Sequence, residues 1–162
     1  MPEGDGRALL RRLVGAISHR GPDEQGFYFD RGAGLGHARL SIIDHSFGQQ
    51  PLRNEDGSIW VSFNGEIFNY VELAADLASR GHLFRTQSDT ETIVHQYEER
   101  GDACVEAFNG DFAFALLDRR NDRLLLARDR MGVRPVYYAV SHGTLVFASE
   151  VKAILRYPGI RA

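Results

Sequence analysis

Three polar segments of this chain carry the residue types that a binding site for a small charged molecule needs. Arg39 lies inside an apolar run, Ala38-Arg39-Leu40-Ser41-Ile42-Ile43, where a core-facing strand would favour another aliphatic residue. Asn64-Gly65-Glu66 is predicted to end a strand and open a helix, so its backbone amides could face a ligand oxygen. Asp89 lies in the first turn of a predicted helix, where the helix dipole favours a carboxylate.

Combined, these groups describe a site for an α-amino acid. The Arg39 guanidinium suits a carboxylate, Asp89 suits an ammonium group, and Asn64 with Gly65 suits an oxyanion. Each group also has a structural alternative: an ion pair at a sheet edge for Arg39, a turn for Asn64-Gly65, and a helix start for Asp89. Taken one at a time, the structural alternatives are favoured.

The composition limits the classes of partner. The 162 residues are 43% hydrophobic and 25% charged, with a formal net charge of −3, which is ordinary for a globular domain. Such a chain has no basic field for nucleic acid or an anionic membrane, and no apolar run approaches the roughly 20 residues of a membrane helix. We expect one domain over residues 1–162, a cytoplasmic location, and no nucleic-acid or membrane partner.

The sequence gives little support for a metal or a cofactor. None of the six histidines falls into a two-histidine helical motif, and the single cysteine, Cys104, excludes a multi-cysteine zinc site. No P-loop is present, and the glycines of residues 32–36 have the wrong spacing for a dinucleotide loop. We therefore expect no metal and no cofactor. Cys104 lies in an apolar helical turn, which favours a buried, inert thiol over the alternative of a nucleophile.

Periodicity predicts an α+β chain, with helices in the middle and strands toward both ends. A capping box is predicted at Ser88-Asp89-Thr90-Glu91, with Ser88 and Glu91 bonding each other's backbone amides. The predicted helices cover residues 6–18 after an N-cap at Asp5, 67–80 and 88–100. The predicted strands cover residues 27–30, 36–43, 59–65, 112–118, 123–128, 136–140 and 145–148.

Five motifs in a fixed order give the chain a family resemblance. They are His19-Arg20-Gly21-Pro22-Asp23, Arg39-Leu40-Ser41-Ile42-Ile43-Asp44, Asn64-Gly65-Glu66-Ile67-Phe68-Asn69, Ser88-Asp89-Thr90-Glu91 and Arg128-Asp129-Arg130-Met131-Gly132. Their order and spacing resemble the class II glutamine amidotransferase domain of glutamine-dependent asparagine synthetases. The resemblance extends from about Leu9 to Leu155.

The resemblance implies an N-terminal-nucleophile-hydrolase fold, an αββα sandwich of two antiparallel sheets. It also implies a glutamine site. Arg39 and the segment Leu40-Ser41-Ile42-Ile43 would hold the α-carboxylate, and Asp89 would hold the α-ammonium. Asn64 and Gly65 would form the oxyanion hole, with Glu66 in the same glutamine-contacting segment. Ammonia would pass to an ATP-dependent synthetase domain or subunit, for asparagine or a related amide.

Two departures from the family pattern set a further expectation. The family nucleophile is a terminal cysteine on the first strand, whereas this chain starts with Met1-Pro2-Glu3-Gly4-Asp5, which matches the loop after that strand. The chain also stops shortly after Glu150–Leu155, where the family continues into its synthetase domain. We therefore expect a fragment, or a start assigned too late, that lacks the first strand, has no catalytic residue and is inactive alone. The alternative is a non-catalytic glutamine-binding or scaffold module that acts with a separate synthetase subunit.

Overall fold

A computed structural model describes residues 3–40 and 49–161 of the chain. Its backbone forms two compact units, which we call the terminal unit (residues 1–43 and 135–162) and the central unit (residues 44–134). All strand pairs of the described residues are antiparallel, so the predicted α+β class is confirmed. In chain order the elements are α1 Glu3–Gly15, β1 Glu24–Asp30, β2 Ala33–Arg39, β3 Leu52–Arg53, β4 Ile59–Ile67, α2 Tyr70–Ser79, α3 Asp89–Arg100, β5 Gly110–Asp118, β6 Arg123–Arg128, β7 Tyr137–Ser141, β8 Thr144–Ala148 and α4 Val151–Ile154, with 3₁₀ helices at Ser18–Arg20 and Gly101–Ala107.

In the terminal unit, helix α1 packs its apolar face on a small core. Leu9 and Leu13, one helical turn apart, lie against a cluster formed by Val146, Ile154 and Tyr157. The predicted helix over residues 6–18 is displaced: α1 begins at Glu3 and ends at Gly15, with a separate 3₁₀ turn at Ser18–Arg20. Glycine at the end of α1 accounts for the early stop, since glycine is a poor helix former. The expected N-cap, Asp5, therefore lies inside the helix.

Two hairpins of the terminal unit use the same kind of turn. β1 and β2 pair from Asp30↔Ala33 outward, and β7 and β8 pair from Ser141↔Thr144 outward. The two-residue loops between them are Arg31-Gly32 and His142-Gly143, and all four residues have positive φ, between 46° and 81°. Positive φ at both loop positions is typical of the type I′ turn, whose twist matches that of the strands. β7 and β8 thus confirm the strands predicted over residues 136–140 and 145–148, with ends shifted by one residue.

The central unit is a four-stranded antiparallel sheet in the order β3-β4-β5-β6, with α3 packed on one face. Its core comes from alternate residues of β4 and β5, together with α3 and the 3₁₀ helix after it. The members are Ile59, Val61, Phe63, Ile67, Ile93, Val94, Tyr97, Cys104, Phe108, Phe112, Phe114 and Leu116. None of the described helices has the length and apolar character needed to cross a membrane.

Candidate functional site

Asn64, Gly65 and Glu66 lie within strand β4, which corrects the sequence-based expectation that they end the strand and open a helix. β4 continues to Ile67, and its last residues pair with β5 as Asn64↔Ala113, Gly65↔Phe112 and Glu66↔Asp111. Helix α2 begins only at Tyr70. The pattern misled because Asn-Gly usually marks a turn, whereas here a partner strand extends the ladder past it. A helix N-terminus therefore provides no donors at this segment.

Gly65 brings β4 and β5 closer together than any side chain would allow. Its φ is 142°, and an added Cβ would lie 2.0 Å from the Asp111 carbonyl oxygen and 2.7 Å from the Phe112 Cα. Gly110 is a second close approach on the facing strand, where a Cβ would lie 2.2 Å from the Glu66 carbonyl oxygen. Only glycine fits at either position, and Gly65 adopts a φ that other residues rarely adopt.

Asn64 places a hydrogen-bond donor in a buried position without using it. Its Nδ2 atom is inaccessible to solvent and has no hydrogen-bond acceptor in the described part of the chain. A buried amide without a partner costs about 1–3 kcal/mol, so native proteins rarely leave one unless it has another role. This donor is the kind of group that an oxyanion hole requires.

Asp89 connects the start of α3 to the same segment of β4. Its Oδ2 accepts a hydrogen bond of 3.0 Å from the backbone N–H of Ile67. Burial raises the pKa of the Asp89 carboxyl, and the negative charge of Glu66 raises it further, against the hydrogen bonds from Ile67 and Thr90. Asp89 thus contacts the end of the strand segment that carries Asn64, Gly65 and Glu66 in the central unit. Two carboxylates side by side favour a cationic ligand, which would relieve their repulsion.

The start of α3 differs from the predicted capping box. The Ser88 Oγ accepts from the Thr90 N–H at 3.1 Å, as a helix cap should. The Glu91 carboxylate, however, accepts from the backbone N–H groups of Arg85 and Thr86, at 2.9 and 2.7 Å. The Ser88 N–H bonds the Thr86 Oγ1 at 3.2 Å instead of Glu91. Two hydrogen bonds from loop amides stabilise the Glu91 carboxylate more than one bond from the cap amide would. These bonds also fix the loop that leads into Asp89.

Arg39 lies at the end of β2 in the terminal unit. Its Nη1 is 3.6 Å from the Oε2 of Glu24, its partner across the hairpin, and its side chain is 16% exposed. Burial, together with the smaller effect of the Arg39 charge, lowers the pKa of the neighbouring His37 to about 4, so His37 is neutral at pH 7. Leu40 is half exposed. The predicted contacts at Ser41, Ile42 and Ile43 lie outside the described residues.

The motif His19-Arg20-Gly21-Pro22-Asp23 bonds to Glu150, in the C-terminal segment of the terminal unit. Glu150 accepts a hydrogen bond from the His19 Nε2 at 2.9 Å and lies 3.4 Å from the Arg20 guanidinium. The Lys152 ammonium lies 3.0 Å from the second oxygen of Glu150. Its hydrogen bond, together with that of His19, outweighs burial and lowers the pKa of the Glu150 carboxyl. This motif therefore stabilises the terminal unit.

The motif Arg128-Asp129-Arg130-Met131-Gly132 folds around one carboxylate. The Asp129 Oδ1 accepts from the Val133 N–H at 3.0 Å, and Oδ2 accepts from Arg134 and Phe112 at 3.1 and 3.3 Å. Burial opposes ionisation, but these backbone bonds outweigh it and lower the pKa of Asp129. Asp129 thereby fixes the loop after β6 to strand β5, next to the Gly65 close approach.

Gln50 is a positioning residue that the sequence analysis did not identify. Its Oε1 accepts from the Phe63 N–H at 2.6 Å, and its Nε2 lies 3.5 Å from the Thr90 Oγ1. It therefore links the residue before Asn64 with the residue after Asp89. No periodicity marks it, because it stands outside any helix or strand.

Cys104 is fully buried, as the sequence predicted. Burial raises the pKa of its thiol to about 12, and the nearby Asp102 charge adds to this effect. The thiolate is the reactive form of cysteine, so Cys104 is inert at pH 7. Burial and the raised pKa both argue against the alternative of a hydrolase that uses Cys104.

Comparison with known proteins shows the family to which this chain belongs. The family described as "Glutamine amidotransferase domain" matches residues 2–162. Asparagine synthetase (glutamine-hydrolyzing) 2 of Bacillus subtilis (strain 168) is 45% identical over 150 residues, which cover 93% of this chain and 20% of that protein. Asparagine synthetase (glutamine-hydrolyzing) 2 of Oryza sativa subsp. japonica is 44% identical over 149 residues, which cover 91% of this chain and 25% of that protein. The chain thus spans a fifth to a quarter of the length of these relatives.

Solved structures with the same fold are more distant in sequence. The glutamine phosphoribosylpyrophosphate amidotransferase from B. subtilis, complexed with ADP and GMP, aligns with a TM-score of 0.77 at 20% identity. The alignment covers 91% of this chain and 40% of that one. The likeness confirms the N-terminal-nucleophile-hydrolase type of α+β fold. With the family match over nearly every residue, it leads to one conclusion: the chain belongs to the glutamine amidotransferase domain family and is homologous to the corresponding part of asparagine synthetases.

Proposed function

We propose that this chain binds free glutamine as the amidotransferase part of an asparagine-synthetase-like protein. The proposal rests mainly on the buried Asn64 Nδ2, which has no acceptor among the residues that the structure describes. Asn64 lies three residues before Ile67, whose N–H donates to Asp89. A neutral donor thus lies on the strand segment whose last residue contacts a carboxylate of α3, and recognition of glutamine requires a donor for the amide carbonyl and an anion for the α-ammonium.

Each proposed contact follows from the charge and geometry of its group. The Asp89 carboxylate, with Glu66 beside it, binds the α-ammonium of glutamine. The Asn64 Nδ2 and the Gly65 N–H donate to the side-chain carbonyl and stabilise negative charge on its oxygen when a nucleophile attacks. The Arg39 guanidinium, with the segment from Leu40 to Ile43, binds the α-carboxylate as a two-pronged donor.

The product that leaves this site in a hydrolysing protein is ammonia. The two relatives named above are asparagine synthetases described as glutamine-hydrolyzing. We propose that ammonia released here serves an ATP-dependent synthetase domain or a separate subunit, in the cytoplasm, for asparagine or a related amide. Cys104 has no part in the proposal, because its buried thiol remains protonated at pH 7.

Calorimetric titration with glutamine tests the proposal. We expect saturable binding to the folded chain that Asp89→Asn and Arg39→Lys each weaken by about 10–100-fold, since a hydrogen bond to a charged group contributes about 1.5–3 kcal/mol. Arg80→Lys is the control, because Arg80 forms an exposed ion pair with Asp76 at 2.9 Å and should leave glutamine affinity unchanged.

Competing ligands sharpen the same experiment. Glutamate should bind more weakly than glutamine, because its charged carboxylate offers no N–H and repels Asp89 and Glu66. Equal binding of the two ligands, or glutamine affinity that both variants retain, would contradict the proposal.

A further inference from the structure

Three side chains of the central unit converge at a point where the sequence suggested no metal motif. His95 and Glu98 stand three residues apart on one face of α3, and the loop after α2 brings His82 to them. The His82 Nδ1 lies 3.2 Å from the His95 Nδ1 and 3.3 Å from the Glu98 Oε2, and the His95 Nδ1 lies 2.8 Å from that same oxygen. The three potential ligand atoms therefore form a small triangle.

The triangle has the dimensions of one face of a tetrahedral zinc site. Zinc bonds to imidazole nitrogen and carboxylate oxygen are about 2.0–2.2 Å, so neighbouring ligand atoms of a tetrahedron are about 3.3 Å apart. Two of the three distances match this value, and the third needs to lengthen by about 0.5 Å. Two imidazoles and one carboxylate are a ligand set that zinc accepts.

Two of the three side chains also have an outer partner of the kind that orients metal ligands. The Glu99 Oε1 lies 3.0 Å from the His82 Nε2, so it accepts that N–H and leaves the Nδ1 lone pair pointing into the triangle. The Asn54 Nδ2 donates to the Glu98 Oε1 at 2.8 Å, which leaves Oε2 for the cluster.

The third ligand, His95, faces two carboxylates on its far side, beyond hydrogen-bond distance. Its Nε2 lies 3.7 Å from a Glu55 oxygen and 3.9 Å from a Glu91 oxygen, and it forms no hydrogen bond with the described residues. A His95 that carries its proton on Nε2 would direct that proton toward these two carboxylates and leave Nδ1 free for a metal.

Burial and charge favour a cation at this point. The His95 side chain is 1% exposed, whereas those of His82 and Glu98 are 15% and 18% exposed, so solvent reaches one side of the triangle. Four glutamates, at positions 55, 91, 98 and 99, surround two imidazoles. Arg80 partly balances them, with its Nη1 3.6 Å from Glu99.

We propose that the His82 Nδ1, the His95 Nδ1 and the Glu98 Oε2 bind one divalent transition-metal ion, for which Zn²⁺ is the best match, with water as the fourth ligand. The ion would join α3 to the loop that leads into Asp89. The site is separate from the proposed glutamine contacts and uses none of their residues.

Calorimetric titration of the chelator-treated, full 162-residue chain with Zn²⁺ tests this proposal. We expect one ion per chain, bound at micromolar protein concentration. Glu99→Gln should weaken binding by about 10–100-fold, the effect of losing an outer partner, and His82→Asn and Glu98→Gln by more than that. His142→Asn is the matched control, because it removes a histidine from an exposed turn of positive φ that asparagine tolerates.

Far-UV circular dichroism of each variant, and its melting temperature with and without Zn²⁺, separate a lost ligand from a lost fold. Zn²⁺ should raise the melting temperature of the wild type and of His142→Asn, but not that of His82→Asn or Glu98→Gln. The proposal is overturned if the folded wild-type chain does not bind one Zn²⁺. It is equally overturned if His82→Asn and Glu98→Gln bind Zn²⁺ as tightly as His142→Asn does.

Discussion

Two asparagines of one short motif, Asn64 and Asn69, are used in opposite ways. Asn69 satisfies both ends of its amide: Nδ2 donates to the Ala107 carbonyl at 3.0 Å, and Oδ1 accepts from the Asn109 N–H at 2.9 Å. Asn64 buries its Nδ2 without an acceptor among the described residues. The first amide holds the end of β4 to the start of β5, and the second keeps a donor available.

The difference separates stabilising residues from candidate binding residues inside a single motif. An asparagine that satisfies its own hydrogen bonds contributes to folding, so its loss should reduce stability. An asparagine with a buried, unused donor costs stability until a ligand accepts from it. The following substitutions test whether stability and glutamine affinity separate in this way.

The largest effect is expected at Gly65, whose backbone holds Asn64 in place. Gly65→Ala should reduce the free energy of unfolding by about 3 kcal/mol or more, because the added Cβ meets the main chain of β5 and the positive φ is strained. Urea unfolding measures this loss. Gly143→Ala is the control: Gly143 has a φ of 75° and open space around it, so only about 1–2 kcal/mol should be lost. Equal losses in the two variants would contradict the close approach.

Asn69→Ala should reduce the free energy of unfolding by about 1–2 kcal/mol, since two hydrogen bonds are lost at a partly exposed position. Glutamine affinity should be unchanged once the protein is folded. Urea unfolding measures the loss of stability, and calorimetric titration with glutamine measures the affinity. A loss of affinity without a loss of stability would assign Asn69 to binding instead.

Asn64→Ala should do the reverse. The substitution removes an unpaired buried donor, so the free energy of unfolding should change by less than about 1 kcal/mol. Glutamine affinity should fall by about tenfold, which corresponds to one lost neutral hydrogen bond. The same two measurements apply, and retained affinity would rule out Asn64 as a ligand contact.

The smallest effect is a pH dependence that comes from Asp89. Because its pKa is raised in the folded state, the folded chain holds this proton more tightly than the unfolded chain. Asp89 therefore costs stability at neutral pH, and this cost diminishes as the pH falls through the raised pKa. Glutamine affinity should weaken over the same range, since the α-ammonium needs the carboxylate. Affinity measured from pH 7 down to pH 4 checks this, and Asp89→Asn should abolish the dependence.

Much of the fold could be predicted from the sequence, because alternating apolar residues mark β4 and continuous apolar runs bounded by polar residues mark β5 and β6. The ends of elements were harder, since they depend on partners distant in the chain. Asn64-Gly65 looks like a turn until β5 is seen to pair with it, and Glu91 looks like a cap until the amides of the preceding loop are placed. Local pattern cannot identify such partners.

The candidate site was also predictable only in part from the sequence. The three residue types for an amino-acid ligand were evident from the sequence, and the structure brings Asp89 to the segment Asn64–Ile67. The unpaired state of Asn64 and the bridging role of Gln50 were not evident, because both depend on burial. The cluster of His82 and His95 was not evident either, because these histidines are not spaced as a helical two-histidine motif. A loop brings them together in the folded chain.

The facing glycines of β4 and β5 also limit how this region can change through evolution. The atoms that a Cβ at Gly65 or Gly110 would meet belong to the main chain, not to a side chain. A smaller neighbour therefore cannot make room, so no second substitution nearby should rescue an alanine at either position. A genetic screen that starts from Gly65→Ala should recover the original codon and few suppressors, and lineages that keep this segment should keep both glycines.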